Sequence, residues 1–251
     1  MTAYQRLPSA SHIPVTPAAA DREASRATVA LDLAWFDLSG RATWDRRHLP
    51  DTPEVTGAVA SLARGAMLKG TDGPIAVEDL MPGDHVATQD GETVRIDWIG
   101  SRTYAPSDER PTFYRVTARA FGPNGPEADV MLGARAHVLI QHRLCYELLR
   151  VPRAFAPVAA LEDGHLVSAV TPPGEVTVYG IACSGQSAVM VSGLAVESYH
   201  PARATGRSLN RTVLSDMARL FPQIGDGDGF GPPRIPYLSA SEAHGLAMAI
   251  G

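Results

Sequence analysis

Residues Ser61 to Gly100 read SLARGAMLKGTDGPIAVEDLMPGDHVATQDGETVRIDWIG and contain the clearest strand and turn signals of the chain. Within this stretch, residues 74–80 alternate, and beyond them one face carries Val94, Ile96 and Trp98. Asp90-Gly91 lies between two such runs, and this pair is a strong β-hairpin signal because glycine reaches positive φ without steric cost. Pro82-Gly83 suits the two central positions of a type II turn. The stretch therefore predicts short antiparallel strands joined by tight turns.

Bulk properties exclude several classes of protein. The chain has 251 residues and a formal net charge of −5, with no basic patch interleaved with aromatics, so we do not expect a nucleic-acid partner. No apolar run approaches the roughly 20 residues that span a bilayer, so we expect no membrane span. Residues 1–20 lack the apolar segment of an ordinary secretory signal, which leaves the cytoplasm and export by a non-classical route both open.

The sequence predicts neither a metal nor a cofactor. Two cysteines, Cys145 and Cys183, are too few for a disulfide framework or a zinc site, and whether they pair stays open. His137 and His142 face opposite ways in a regular strand, which makes them poor joint ligands. The run Asp226–Gly229 resembles the start of a calcium loop but lacks its later ligands.

Short apolar or alternating runs separated by turn residues continue to about residue 200. They cover residues 111–121, 130–132, 138–140, 146–151, 176–183, 188–191 and 194–196. Many short strands at close spacing favour an all-β fold, and no long helices alternate with them as a parallel α/β sheet would require. We predict a β domain over residues 61–200.

Residues 1–60 are predicted to form an irregular leader that packs on the β domain. The apolar run Val29–Phe36 fits either a strand or a buried turn. Polar residues and the breakers Pro50 and Pro53 follow it, and we expect Trp35, Phe36 and Trp44 to contact the body. On this interpretation the chain's own N-terminal segment is its first partner.

Residues 201–251 are predicted to form a helical tail. Ser208 can cap a helix whose apolar residues recur at helical spacing and which ends before Pro222. Ser239 and Glu242 form a capping-box pattern at the start of a last short helix.

The motifs between residues 61 and 100 resemble those of the bacterial Hint family, the domain shared by hedgehog proteins and inteins. The similar segments are Ser61–Ala66, the run Val77–Asp84 (VEDLMPGD), Asp90-Gly91 and Trp98–Gly100 (WIG). The resemblance extends more loosely to about His200. It implies a compact disc of curved antiparallel strands.

The resemblance also implies an acyl shift in which the Ser61 hydroxyl attacks the carbonyl of Ala60 and the peptide becomes an ester. Such a step needs a base, an oxyanion partner and a proton for the departing nitrogen. In the family a Ser/Thr-x-x-His motif supplies the histidine. The matching positions here are Gly133 and Ala136, and His137 lies one place late, which in a strand points it to the opposite face unless a bulge intervenes.

Two further positions depart from the family pattern. The threonine that follows Gly65 in the family is replaced by Ala66. The His-Asn pair that ends an intein is replaced by Glu197-Ser198, so the asparagine cyclisation needed for splicing is excluded.

The candidate catalytic residues are therefore Ser61 and His137. Glu197 and His200 are expected near them if the fold closes as in the family. Asp84 is interpreted as a turn residue that bonds backbone amides rather than as a base.

Two hypotheses follow, and the sequence leaves both open. In the first, the chain is a degenerate Hint domain with weak or lost self-cleavage at Ala60–Ser61, at most a single-turnover autoproteolytic domain. In the second, it is a non-catalytic binding or structural module, with the helical tail serving a protein partner or self-association.

Overall fold

The computed structural model describes residues 27–37, 39–122, 125–203, 211–224 and 230–250. Their strands are β1 (Thr28–Phe36), β2 (Ala42–Pro50), β3 (Leu62–Ala63), β4 (Met67–Gly70), β5 (Gly73–Ala76), β6 (His85–Ala87), β7 (Thr93–Tyr104), β8 (Phe113–Val116), β9 (Val130–Gly133), β10 (His137–Gln141), β11 (Arg153–Pro157), β12 (Val167–Val170), β13 (Val176–Cys183), β14 (Ala188–Val191) and β15 (Leu194–Glu197). Most of these strands are short, with two to five residues, and β1, β2, β7 and β13 are longer.

Helices in the described residues are few and short. They are α1 (Pro53–Ala58), α2 (Arg143–Leu149), α3 (Arg211–Leu220) and α4 (Ala240–Ile250). Single 3₁₀ turns cover Val77–Asp79, Val158–Leu161, Pro201–Arg203 and Pro222–Ile224. None of these helices combines the length and the apolar character that crossing a bilayer requires.

The strands form one extended antiparallel network. The order along the sheet is β11-β10-β15-β14-β4-β6-β7-β13-β3-β9-β8-β12. β5 adds to β4, and β1 pairs with both β2 and β7. The prediction of an all-β fold of antiparallel strands with short helices is confirmed.

The turns predicted between residues 80 and 95 are present. β6 and β7 form a hairpin that turns at Asp90-Gly91, where Gly91 has φ of +85°. Pro82 and Gly83 occupy the centre of a turn closed by the bond from Asp84 N to Met81 O, and Gly83 has φ of +106°. The Asp84 carboxylate in turn accepts from Met81 N at 2.8 Å, which is the turn role expected for it.

The prediction of an irregular leader is wrong for residues 28–50, which include β1 and β2, and for residues 53–58, which form α1. β1 and β2 form a nine-residue antiparallel hairpin, and β1 also pairs with β7 through residues 32–35. β2 gives no alternating signal because Leu49 is its only fully buried residue. Trp35 is buried as expected, but Trp44 is 67% exposed and does not pack on the body. Residues 1–26 lie outside the described part of the chain.

The apolar run at residues 146–151 is not a strand. Residues 143–149 form α2, which begins after His142, whose Nδ1 accepts from Leu144 N, and ends at Arg150 in the left-handed region. With Cys145 as its one buried residue, the helix is too short to reveal its period in sequence.

The C-terminal helices pack against the β structure. Ala243 and Leu246 of α4 join the main hydrophobic core, and Leu220 of α3 joins a second core with the N-terminal hairpin. Ser239 and Glu242 make the predicted capping box, with Ser239 N donating to Glu242 Oε2 at 2.7 Å. Ser208 and Asp226–Gly229 lie outside the described residues.

Both cysteines are buried free thiols. Burial raises the pKa of the Cys183 thiol to about 12, and it also raises the pKa of Cys145. Neither thiol therefore ionises readily near neutral pH, which argues against a nucleophilic role.

Candidate active site

Ser61 sits at the entrance to β3, between β13 and the end of β9. Its backbone N–H donates to Tyr179 O at 3.1 Å, and its carbonyl accepts from Gly133 N at 2.9 Å. The residue is 3% exposed. These contacts arise because β3 pairs with β13 on one side and with β9 on the other. The backbone thus fixes the Ala60–Ser61 peptide from both neighbouring strands.

The carbonyl of Ala60 is held by the turn that links β9 to β10. Arg135 N donates to Ala60 O at 2.9 Å. A Cβ added to Gly133 would lie 2.4 Å from the same oxygen, so only glycine allows the turn to approach this closely. A backbone N–H aimed at this oxygen is the kind of donor that stabilises negative charge developing on a carbonyl under attack.

The Ser61 hydroxyl faces a cation rather than a base. Arg203 Nη1 lies 3.3 Å from Ser61 Oγ and 3.3 Å from Arg135 O. Among the described residues, Arg203 is the only hydrogen-bond partner of this hydroxyl. A guanidinium donates hydrogen bonds and cannot accept a proton, so it holds Oγ as an acceptor.

Glu197 provides the counter-charge for Arg203. Arg203 Nη2 and Glu197 Oε2 are 3.3 Å apart, and the two side chains are 9% and 0% exposed. This contact is an ion pair without hydrogen-bond alignment, since neither atom has a hydrogen-bond partner among the described residues. The second carboxylate oxygen accepts from Tyr237 Oη and from Gln186 Nε2. Burial raises the pKa of the Glu197 carboxyl, while Arg203, Tyr237 and Gln186 act to lower it.

His137 belongs to the same buried cluster but is not bonded to Ser61. Its Nδ1 lies 3.2 Å from Arg135 O and 3.6 Å from Glu197 Oε2, and its ring packs edge-on against Tyr237. Desolvation and the positive charge of Arg203 lower the pKa of His137 to about 3. The imidazole is therefore neutral at pH 7 and a weak base.

The remaining residues flagged in the sequence have structural contacts. His200 directs Nε2 at the carbonyls of Phe230 and Gly231, and its Nδ1 accepts from Ala202 N. Ala66 is buried and bonds through its backbone. Within the described ranges, no group of three or more His, Cys, Asp or Glu side chains could hold a metal ion.

A cavity of about 600 Å³ adjoins the buried cluster. Its polar wall includes Arg135, His137 and Arg203, and its apolar wall includes Pro157 and Met217. Of the cluster, Arg203 and His137 are therefore the side chains that border this cavity in the described part of the chain.

Sequence reasoning missed Arg203, Gln186 and Tyr237. Arg203 is separated from Ser61 by 142 residues and Tyr237 from Glu197 by 40, and none of the three lies in a motif. Only the fold brings them together. A signal for Gly133 was available, because glycine at the Ser/Thr position of the family motif indicates a close backbone approach.

Chemically, the site offers a polarised carbonyl and a hydroxyl without a proton acceptor. Attack of Oγ on Ala60 C would find a donor for the oxyanion in Arg135 N–H. It would find no described group in place to take the hydroxyl proton.

Several solved structures are similar to this chain. The MchDnaB-1 intein is 15% identical, with a TM-score of 0.37 over 55% of this chain and 99% of that one. The bacterial intein-like domain from Clostridium thermocellum is 13% identical, with a TM-score of 0.35 over 56% and 99%. The TvoVMA intein is 11% identical, with a TM-score of 0.28 over 69% and 98%. None of the curated proteins matches.

The family comparison covers the site itself. The profile of the Hint domain family matches residues 60–203, from the residue that precedes Ser61 to Arg203. The match spans more than half of the 251 residues and the strands from β3 to β15. The chain therefore belongs to the Hint domain family.

Proposed function

We propose that this chain is a Hint domain whose Ala60–Ser61 bond is cleaved slowly or not at all, and that it does not splice. One observation carries the proposal: the Ser61 hydroxyl accepts from the Arg203 guanidinium and meets no base among the described residues. Any cleavage is a single turnover of the chain on itself.

The reaction in question is an N–O acyl shift followed by hydrolysis. Ser61 Oγ forms a bond to Ala60 C and gives up its proton, the C–N bond breaks, and the nitrogen leaves as an amine after taking a proton. Water then adds to the ester, leaving a carboxylate on Ala60 and the hydroxyl on Ser61. The chain must move a proton from oxygen to nitrogen for the first step to proceed.

The proton transfer is the weak step. An efficient general base has a pKa near the working pH, and the pKa of about 3 for His137 is far below it. The Ser61 N–H already donates to Tyr179 O, and no described side chain stands ready to protonate that nitrogen. A serine hydroxyl without help is a poor nucleophile.

The fixed positions of the residues on both sides of the Ala60–Ser61 bond also favour the peptide over the ester. The acyl side is held by the bond from Arg135 N to Ala60 O and the amine side by the pairing of β3, so an ester would keep its acyl group beside the freed amine. Groups held in contact react at high effective concentration, and this favours the return shift over hydrolysis.

Splicing is disfavoured by the chemistry at the end of β15. Ser198 stands where an intein has asparagine, and its hydroxyl accepts from Ser187 N at 3.2 Å. A serine side chain has no amide nitrogen with which to form a succinimide.

Intact mass of the purified full chain tests the proposal. We expect a single species at the full mass of 26.6 kDa, or minor cleavage between Ala60 and Ser61 that hydroxylamine increases and Ser61→Ala removes. Rapid and complete cleavage without additive, abolished by Ser61→Ala, would overturn it.

A non-catalytic structural module is the second candidate. It is favoured by the tight incorporation of residues 28–60 into the sheet and the second core. The C-terminal helices give it less support, because Ala243, Leu246 and Leu220 face the body. Light scattering of the full chain with Leu214→Ser and Met248→Ser, the exposed apolar residues of α3 and α4, tests self-association through this tail. A concentration-dependent mass that both substitutions abolish supports it, and a constant monomer mass counts against it.

A further inference from the structure

The segment upstream of Ser61 is part of the same sheet as the residues downstream of it. β1 lies between β2, with which it forms nine pairs, and β7, with which it pairs from Asp32↔Ser101 to Trp35↔Trp98. The pairs with β7 join residues on opposite sides of the Ala60–Ser61 bond. Cutting that bond removes none of these contacts.

The second hydrophobic core is shared between the two sides. Fourteen buried residues form this core in the described part of the chain, and eight of them precede Ser61. The upstream members are Val29, Leu31, Leu33, Trp35, Leu49, Val55, Ala58 and Val59. The downstream members are Trp98, Ala182, Tyr199, Leu220, Phe221 and Phe230. Neither set can bury its apolar surface without the other.

Polar contacts cross the same interface. Arg47 Nη1 donates to Arg219 O, and Arg219 Nη2 donates to His48 O at 3.2 Å. The Arg102 guanidinium lies 3.6 Å from the Asp51 carboxylate. These contacts fix the position of the hairpin relative to α3 and β7.

The backbone just before the bond is packed as closely as the bond itself. A Cβ added to Gly180 on β13 would lie 1.8 Å from Ala58 O, and one added to Gly100 on β7 would lie 2.8 Å from Val59 Cγ1. β7 and β13 can therefore lie this close to residues 58 and 59 only because they carry glycine at these two positions.

We propose that residues 27–60 remain bound to the body of the domain, residues 61–250, after the chain is cut between the two parts. The partner is the β1–β2 hairpin of this chain, recognised by pairing with β7 and by burial of its apolar face. A cut at or before Ser61 gives a two-chain complex and does not release the upstream segment. The proposal holds whether or not Ser61 performs the cut.

A site-specific protease tests this without using Ser61. A protease recognition sequence is inserted in the full chain directly after Asp51, an exposed residue that follows β2. After cutting, we expect both fragments to co-elute on size exclusion in native buffer and to separate only in concentrated guanidinium chloride. A free N-terminal peptide in native buffer would overturn the proposal.

Two tryptophans of the hairpin provide matched variants in the same cut protein. Trp35→Ala removes a side chain that is 6% exposed and should weaken retention by roughly a hundredfold or more. Trp44→Ala removes one that is 67% exposed and should leave retention unchanged. Leu31→Val is a milder change in the same core and replaces Trp35→Ala if that variant does not fold. It should weaken retention by roughly fivefold. Equal retention in Trp35→Ala or Leu31→Val and in Trp44→Ala would contradict the proposal.

Discussion

The two sides of the Ala60–Ser61 peptide differ in how they are prepared for reaction. On the carbonyl side, Arg135 N–H donates to Ala60 O and Gly133 lets the turn approach. On the hydroxyl side, Oγ accepts from the Arg203 guanidinium, and the imidazole of His137 lies against Arg135 O instead.

The difference follows from the groups that make the contacts on each side, which are backbone groups at the carbonyl and side chains at the hydroxyl. The carbonyl contact is made by backbone, so it persists wherever the sheet and the turn persist. Activation of the hydroxyl needs particular side chains, and single substitutions can remove it without disturbing the fold. A Hint scaffold can therefore keep its geometry after its proton transfer has weakened.

The largest effect is expected on removing the cation from the hydroxyl side. Arg203→Met leaves the fully buried Glu197 without its ion pair and should lower the free energy of unfolding by about 3–5 kcal/mol. Arg64→Met is the matched control, because the Arg64 side chain is 71% exposed beside Glu78 and should cost about 1 kcal/mol or less. Urea unfolding measures both. Equal losses would show that the buried ion pair contributes no more to the free energy of unfolding than the exposed one.

A smaller effect is expected on crowding the carbonyl side. Gly133→Ala places a Cβ against Ala60 O, and overpacking of this kind should lower the free energy of unfolding by about 1–3 kcal/mol. Gly245→Ala in α4 meets no atom within 4 Å and should stabilise the chain by up to about 1 kcal/mol. If Gly133→Ala destabilised the chain no more than Gly245→Ala does, the close approach of the turn to Ala60 O would be incorrect.

The smallest effect, when it is taken over the single pH unit below 6.5, is a dependence of stability on pH from His137. Its pKa is about 3 in the folded chain and near 6.5 when unfolded, so between these values only the unfolded chain binds the proton. Stability is fully present above pH 6.5 and falls with decreasing pH by about 1.4 kcal/mol per pH unit.

Comparison with variants isolates this contribution. In urea unfolding between neutral and mildly acid pH, the free energy of unfolding of His137→Gln should not show this contribution to the pH dependence. His85→Gln, at an exposed position of β6, should keep it. Parallel pH profiles for wild type and His137→Gln would contradict a buried neutral imidazole.

Turn chemistry and alternation predicted most of the strands between residues 61 and 200, because each signal is local, but they did not predict β11 and β12. β2 escaped prediction because most of its side chains face solvent, and α2 because a helix of two turns resembles a short apolar strand. The motif resemblance located Ser61 and the turn before β10. It could not locate Arg203, since nothing near residue 203 indicates that its side chain reaches Ser61.

Replacing the Ser61 hydroxyl by a thiol shows whether the lack of a proton acceptor limits cleavage. A thiol is partly ionised near neutral pH without a base, and the Arg203 guanidinium would stabilise its thiolate. In the full chain with hydroxylamine, Ser61→Cys should cleave after Ala60 at least about tenfold faster than wild type, because the carbonyl is already polarised. A Ser61→Cys chain as intact as Ser61→Ala, or a wild-type chain that cleaves as fast as Ser61→Cys, would show that activation of the hydroxyl is not what limits cleavage.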